Sequence, residues 1–308
     1  MPEASSVWEI PKGSSSGADP VRLRNILMAT DFSECSERAL HYAIGIAARY
    51  TATLHLFHWI DCTPYNLGAP DALQTAGETA WRDLQKLASE LRGSSQAKNV
   101  EVKFRVEAVG ELQTVLPEIV RDHAIDLIVV GTHGRTGFKK LVLGSVAETV
   151  VDYGPCPVLV VGPYADRNRL EQLGPESILF ASDSSSRSRL AEAYAFSLAR
   201  KYKSRLTIAD ILEDHSGRVL AEVSQLQWLD SELKHPLGTV PAKIPPLPDD
   251  IGTRADMILD VANDAKADLI VLSVPTAHRF ANRIVITNSY RVVCGAHCPV
   301  LTVRTGVD

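Results

Sequence analysis

The 308-residue chain carries two copies of one pattern, and a chain that repeats itself must fold as two related units. The stretch ILMATDFSECSERALHYAIGIAARYTATLHLFHWI, residues 26–60, overlies ILFASDSSSRSRLAEAYAFSLARKYKSRLTIADIL, residues 178–212, at an offset of 152 with 12 identities in 35 positions. Residues 126–161 overlie 268–303 at an offset of 142 with 12 identities in 36. Unrelated windows would share on the order of two, given average residue usage. The smaller second offset means that the second copy is shorter in its middle.

Within the first copy, short apolar runs alternate with stretches of helical period. Residues 26–29, 54–60, 102–109, 127–130 and 158–161 read as strands. A helix follows the first strand, capped by Ser33 or Asp31, with Ala39, Ala43, Ile46, Ala47 and Tyr50 at three- and four-residue spacing. Further helices are expected over 80–91, 112–123 and 146–151. Strands alternating with helices imply right-handed crossovers and a parallel sheet covered on both faces. Ligands are then expected beyond the carboxyl ends of the strands, where strand order reverses. The polar segment GPYADRNRLEQLGPE, with two prolines, reads as a linker between the copies. In the second copy, residues 235–250 hold five prolines and predict a distorted third strand or an edge loop.

Composition removes other classes. Thirty-two Lys and Arg against 37 Asp and Glu leave a net charge of −5, which offers no global field for nucleic acid or an acidic membrane surface. No apolar run reaches the length of about 18 residues that a membrane span needs. Five scattered cysteines do not make a disulfide framework, so reduced thiols and a cytoplasmic location are expected. Residues 1–20, rich in Ser, Gly and Pro, read as a disordered tail.

One stretch carries chemistry. At the end of the fourth strand the sequence runs GTHGRTGFKKLVLGS, placing Gly131 and Gly134 ahead of Gly144 and Ser145. Gly131 is expected to need unusual dihedrals, and bare backbone there and at Gly134 admits a ribose or phosphate. Gly144 and Ser145 open the next helix, whose N–H groups suit an anion. Lys139 and Lys140 reach toward distal phosphates. The competing reading is a tight strand-to-helix turn with no ligand. Neither GxxxxGK[ST] nor GxGxxG follows a strand. Asp31, at the end of the first strand, faces the same crevice if the order is 3-2-1-4-5, and there accepts from an adenine amino or ribose hydroxyl or helps hold Mg²⁺. A helix cap is its alternative role.

The ATDFS turn (residues 29–33), the segment DLIVVGTHGRTGFKKLVLGSVAETVV (126–151) and PCPVLVV (155–161) resemble the universal stress protein family in its tandem two-domain form. The resemblance implies two tandem flavodoxin-like α/β domains, each a five-stranded parallel sheet of order 3-2-1-4-5 with helices on both faces. The first domain is expected over 21–163, a linker over 164–177 and a second domain over 178–308. It also implies a cytoplasmic stress function, association through the last strand, and ATP binding where the Gly-x2-Gly-x9-Gly-Ser motif is present. Carried over by residue, it puts Ala29, Thr30, Asp31 and Trp59 near the nucleoside. Gly131, His133, Gly134 and Arg135 lie along ribose and phosphates, and Gly144, Ser145 and Val146 under the triphosphate. Trp59 replaces the small aliphatic residue usual there, leaving adenine stacking and partial blockage as alternatives. In the second copy Ser273, Thr276, Ile286 and Thr287 fill the motif positions. That copy is expected to be degenerate, giving one ATP per chain.

Cys294, His297 and Cys298 look like a metal set, but Cys156 repeats Cys298 in the same CPV setting, so buried structural cysteines account for both. His55 and His58 are read as satisfied or exposed histidines without a role. Three function classes follow: an ATP-binding regulatory protein, a slow ATPase, and a nucleotide-free scaffold, with no residue assigned to catalysis. The two copies are expected to pair as an internal pseudo-dimer through 158–161 and 300–303, with further association into a homodimer possible and no nucleic-acid or membrane partner.

Overall fold

The computed structural model describes residues 21–61, 70–95, 97–108, 110–132, 143–165, 174–182, 188–213, 219–229, 232–234, 242–244, 253–274 and 288–304. The first copy runs β1 (Asn25–Ala29), α1 (Glu34–Tyr50), β2 (Thr53–Trp59), α2 (Pro70–Gly93), β3 (Val102–Glu107), α3 (Leu112–Asp122), β4 (Leu127–Gly131), α4 (Ser145–Tyr153) and β5 (Val158–Val161). These strands are all parallel neighbours, in the order 3-2-1-4-5. Helix α1 begins where expected because the Ser33 hydroxyl accepts from the Ser36 N–H at 3.2 Å, which makes Ser33 the cap. Asp31 instead accepts the Ser33 N–H, at 3.0 Å. Helix α2 starts ten residues before the expected 80. Its buried face, Ala80, Leu84, Ala88 and Leu91, is the periodic part that the sequence shows.

The second copy runs β6 (Ser177–Ser182), α5 (Arg189–Tyr202), β7 (Arg205–Glu213), β8 (Val219–Leu229), β9 (Glu232–Lys234), β10 (Ala242–Ile244), α6 (Arg254–Asp264), β11 (Leu269–Val274), α7 (Asn288–Gly295) and β12 (Val300–Arg304). Its strands β7, β6, β11 and β12 repeat the parallel arrangement. The third position departs from the expected parallel strand. It is filled by β8, antiparallel to β7, with β9 and β10 pairing antiparallel to β8. The physical reason is length: residues 214–218 are all that separate β7 from β8. A parallel return needs a crossover of a dozen or more residues, whereas five suffice for a hairpin. Within the proline-rich stretch, Ala242–Ile244 forms an edge strand and the rest lies outside the described residues.

An aspartate staples both copies in the same way. Asp126 accepts from the N–H groups of Arg24 and Asn25, and Asp268 from those of Glu176 and Ser177, at 2.6 to 3.0 Å. The histidines also have partners. His55 Nε2 lies 3.2 Å from Asn25 Oδ1, and burial, then the neighbouring His123, holds its pKa down to about 4. In the Cys294, His297 and Cys298 group, read from the sequence as structural, His297 Nε2 donates to the Ala267 carbonyl at 3.1 Å, and burial raises the Cys294 thiol. Cys156 is likewise pushed up to about 12 by burial.

The two sheets join into one through β5 and β12. They pair antiparallel, with Val160 opposite Val300, Leu159 opposite Leu301 and Val158 opposite Thr302. This is the expected pseudo-dimer seam. Left unpaired, each edge would expose a row of apolar residues and backbone groups. The Thr302 hydroxyl adds a bond to the Val158 carbonyl at 3.2 Å. Two apolar cores, one per sheet face, each run through both copies without a break at the seam. No helix among the described residues is long and apolar enough to cross a membrane.

The seam has a measurable energetic signature. Val160→Ala and Val300→Ala, both at 1% exposure, should each cost about 1–3 kcal/mol. Combined, they should be non-additive by about 0.5 kcal/mol or more, because the side chains touch across the copies. Denaturant titration of the four variants in that cycle checks it, and strict additivity would count against the pairing.

Candidate functional site

The sheet order reverses beside β1: its two neighbours, β2 and β4, lead away to opposite edges. Such a point opens a crevice at the carboxyl ends of the strands. Ala29 ends β1, level with Phe57 on β2 and Val130 on β4. Ala29, Thr30 and Asp31 therefore stand in the middle, with Trp59 on one side and Gly131 on the other.

The turn after β1 is held from several directions. The Thr30 N–H donates to the Phe57 carbonyl at 2.9 Å, which extends the ladder one residue past the strand. The buried Thr30 hydroxyl accepts from the Phe32 N–H and donates to the Ser36 hydroxyl, both at 3.1 Å. His58 Nδ1–H donates to the Thr30 carbonyl at 2.7 Å, and its ring lies 4.9 Å from that of Phe32. Phe32 has a φ of 63°, a left-handed conformation that a bulky residue adopts only when its surroundings hold it there. His58, expected to be idle, is thus one of the groups that shape this turn.

Gly131 corrects an expectation. Among the described glycines, positive φ occurs at Gly110 and Gly174, and Gly131 needs no unusual dihedral. What it needs is space: a Cβ there would stand 2.8 Å from the Cys35 carbonyl carbon and 3.0 Å from the Ser36 nitrogen. The missing side chain lets the start of α1 pack against β4. The second copy solves the same contact differently. Ser273 occupies the glycine position, its hydroxyl lies 3.2 Å from that of Ser188, and α5 begins only at Arg189.

Beyond β4, the buried Thr132 closes both ends of the glycine turn. Its N–H donates to the Val161 carbonyl at 3.0 Å, and its carbonyl accepts from the Gly144 N–H at 2.7 Å. His133, Gly134, Arg135, Lys139 and Lys140 lie outside the described residues. Gly144 is the N-cap of α4, with φ −64° and ψ 150° and no side-chain cap bond. Ser145 is exposed and Val146 half-buried in the first turn. That helix end presents N–H donors and the positive end of its dipole.

Two features escaped sequence reasoning. The hydroxyl of Tyr290, on α7 of the second copy, accepts from the Leu143 N–H at 2.8 Å, so the second domain holds the first domain's turn directly. Tyr290 stands at the repeat position of Glu148, and nothing in the sequence announces a contact that the seam alone creates. Around it, burial, then the nearby Asp152, raises Glu148. The second feature is the indole Nε1 of Trp59, which is buried without a hydrogen-bond partner among the described residues. A buried N–H left unpaired costs free energy that a ligand acceptor would restore.

The geometry can be set beside known proteins. The model of the universal stress protein family matches residues 22–162 and again 175–304. A universal stress protein of Methanocaldococcus jannaschii is 34% identical over 146 residues, 45% of this chain and 81% of that protein. A putative universal stress protein of Staphylococcus epidermidis is 33% identical over 144 residues, 46% of this chain and 85% of that one. Among solved structures, a universal stress protein from Archaeoglobus fulgidus covers 92% of this chain and 98% of its own, with a TM-score of 0.64 at 18% identity, a likeness of fold.

The close approach at Gly131 makes its own prediction. Gly131→Ala should lower stability by about 1–3 kcal/mol, since the clash is with backbone that cannot rotate away. Thermal unfolding checks it, and an unchanged melting temperature would show that α1 is not seated against β4 in this way.

Proposed function

The chain belongs to the universal stress protein family, and we propose that it serves in a stress response by holding one ATP, with Mg²⁺, in its first domain. The observation that carries this reading is the α4 N-terminus, uncapped by any side chain at Gly144 and tied back to the end of β4 through Thr132. N–H groups of that first turn, at Ser145 and Val146, suit the phosphates. Gly131, His133, Gly134 and Arg135 would line the path between ribose and phosphates. Ala29, Thr30 and Asp31 would face the nucleoside, and the unpaired Trp59 indole N–H offers it a donor. That favours Trp59 as a contact rather than a block. Asp31, just past the end of β1, would turn its carboxylate to a ribose hydroxyl or the metal ion.

On this reading ATP is a bound signal more than a substrate. The second domain takes the partner's part. A nucleotide seated at the Leu143–Gly144 turn would be felt across the seam through the Tyr290 hydroxyl.

Calorimetric titration with Mg-ATP tests the reading. Gly144→Val puts a branched side chain where phosphate oxygens meet backbone, and should weaken binding by roughly tenfold or more. Its ordinary dihedrals mean a stability loss of only about 1 kcal/mol at the cap. Ile286→Ala in the second copy should change nothing. Undiminished affinity in the Gly144 variant refutes the assignment, and a wild type stripped of ligand that binds no adenine nucleotide leaves the scaffold reading in its place.

A further inference from the structure

Between α1 and α5, over the seam, lies a cavity of about 420 Å³, within the size range of small-molecule pockets. Its floor is Leu159 and Leu301, register partners of the joined strands. Its walls come in repeat-related pairs, Leu127 with Leu269, Tyr42 with Tyr194 and Ile46 with Leu198. The cavity therefore straddles the pseudo-twofold axis, and neither copy alone encloses it.

A reciprocal clasp lies at the carboxyl-terminal ends of the two helices. The Arg49 guanidinium stands 5.6 Å from the Tyr202 ring, and the Lys201 ammonium 4.8 Å from the Tyr50 ring. The only acid among the described lining residues, Asp268, has its two oxygens committed to the backbone N–H groups of Glu176 and Ser177. Arg49, exposed at the rim, spends one donor on the Lys201 carbonyl at 2.7 Å, out of the five that a guanidinium carries.

We propose that this cavity binds a free long-chain carboxylate, with the acyl chain on the leucine floor and the head group at Arg49. His41 and the rings of Tyr42, Tyr194 and Tyr202 stand among a mainly aliphatic lining, so a body that is polar throughout would lose more hydration there than these groups replace. A cationic amphiphile would meet like charge at the rim, whereas a carboxylate finds guanidinium donors in matching geometry. The site is separate from the crevice at Gly144 and stands or falls without it.

Dodecanoate and its neutral counterpart dodecanol, titrated calorimetrically into the full chain below their aggregation limits, test this. One dodecanoate per chain should bind saturably. Ala48→Phe, at an exposed rim position of α1, should lower affinity for both by roughly tenfold or more. Arg49→Gln should weaken dodecanoate by roughly tenfold and leave dodecanol unchanged. Should Ala48→Phe fail to fold by circular dichroism, Gly45→Phe on the same rim replaces it. Absence of saturable binding, or full affinity in the rim variant, overturns the site. Equal loss of both ligands in Arg49→Gln overturns the head-group assignment.

Discussion

The antiparallel pairing of β5 with β12 is the constraint on which the rest of the molecule depends. Each strand is the last of its copy, is mainly apolar (VLVV in β5, VLTVR in β12), and would be an open edge if its copy stood alone. Pairing them satisfies the backbone groups, makes both cores continuous and sets the copies about a pseudo-twofold axis. The cavity between α1 and α5, the Arg49 and Lys201 clasp, and the contact of Tyr290 with Leu143 all exist because of it.

Within that frame the copies have diverged where function would be expected to act. Both keep the aspartate staple and the four central parallel strands. The first keeps glycine at the end of β4, so that α1 starts early and close to the crevice. The second carries a serine there, bonded to Ser188, and replaces the crossover and third parallel strand with a hairpin. A symmetric duplication thus becomes an asymmetric chain, in which Tyr290 of the second copy braces the turn of the first.

Much of this was legible. Apolar runs and helical period placed the strands of the first copy, and the self-alignment disclosed the second. The seam followed from two edge sequences that needed a partner. Other features were not legible, for physical reasons. A glycine in sequence says that a Cβ is excluded, not what excludes it; at Gly131 the neighbour is the backbone of α1. The antiparallel β8 was implicit in the five residues after Glu213, too few for a crossover, but the repeat argued for a parallel strand and masked that signal. Tyr290 makes its contact only after two distant segments are joined, so no local pattern could reveal it.

The asymmetry is the central claim, and counting ligands tests it most directly. Native mass spectrometry of the full chain, stripped of endogenous ligand and then equilibrated with Mg-ATP, should show a single nucleotide adduct per chain at saturation. Two adducts of comparable affinity would contradict the account, because the second copy would then bind through a serine-filled, hairpin-modified version of the same crevice.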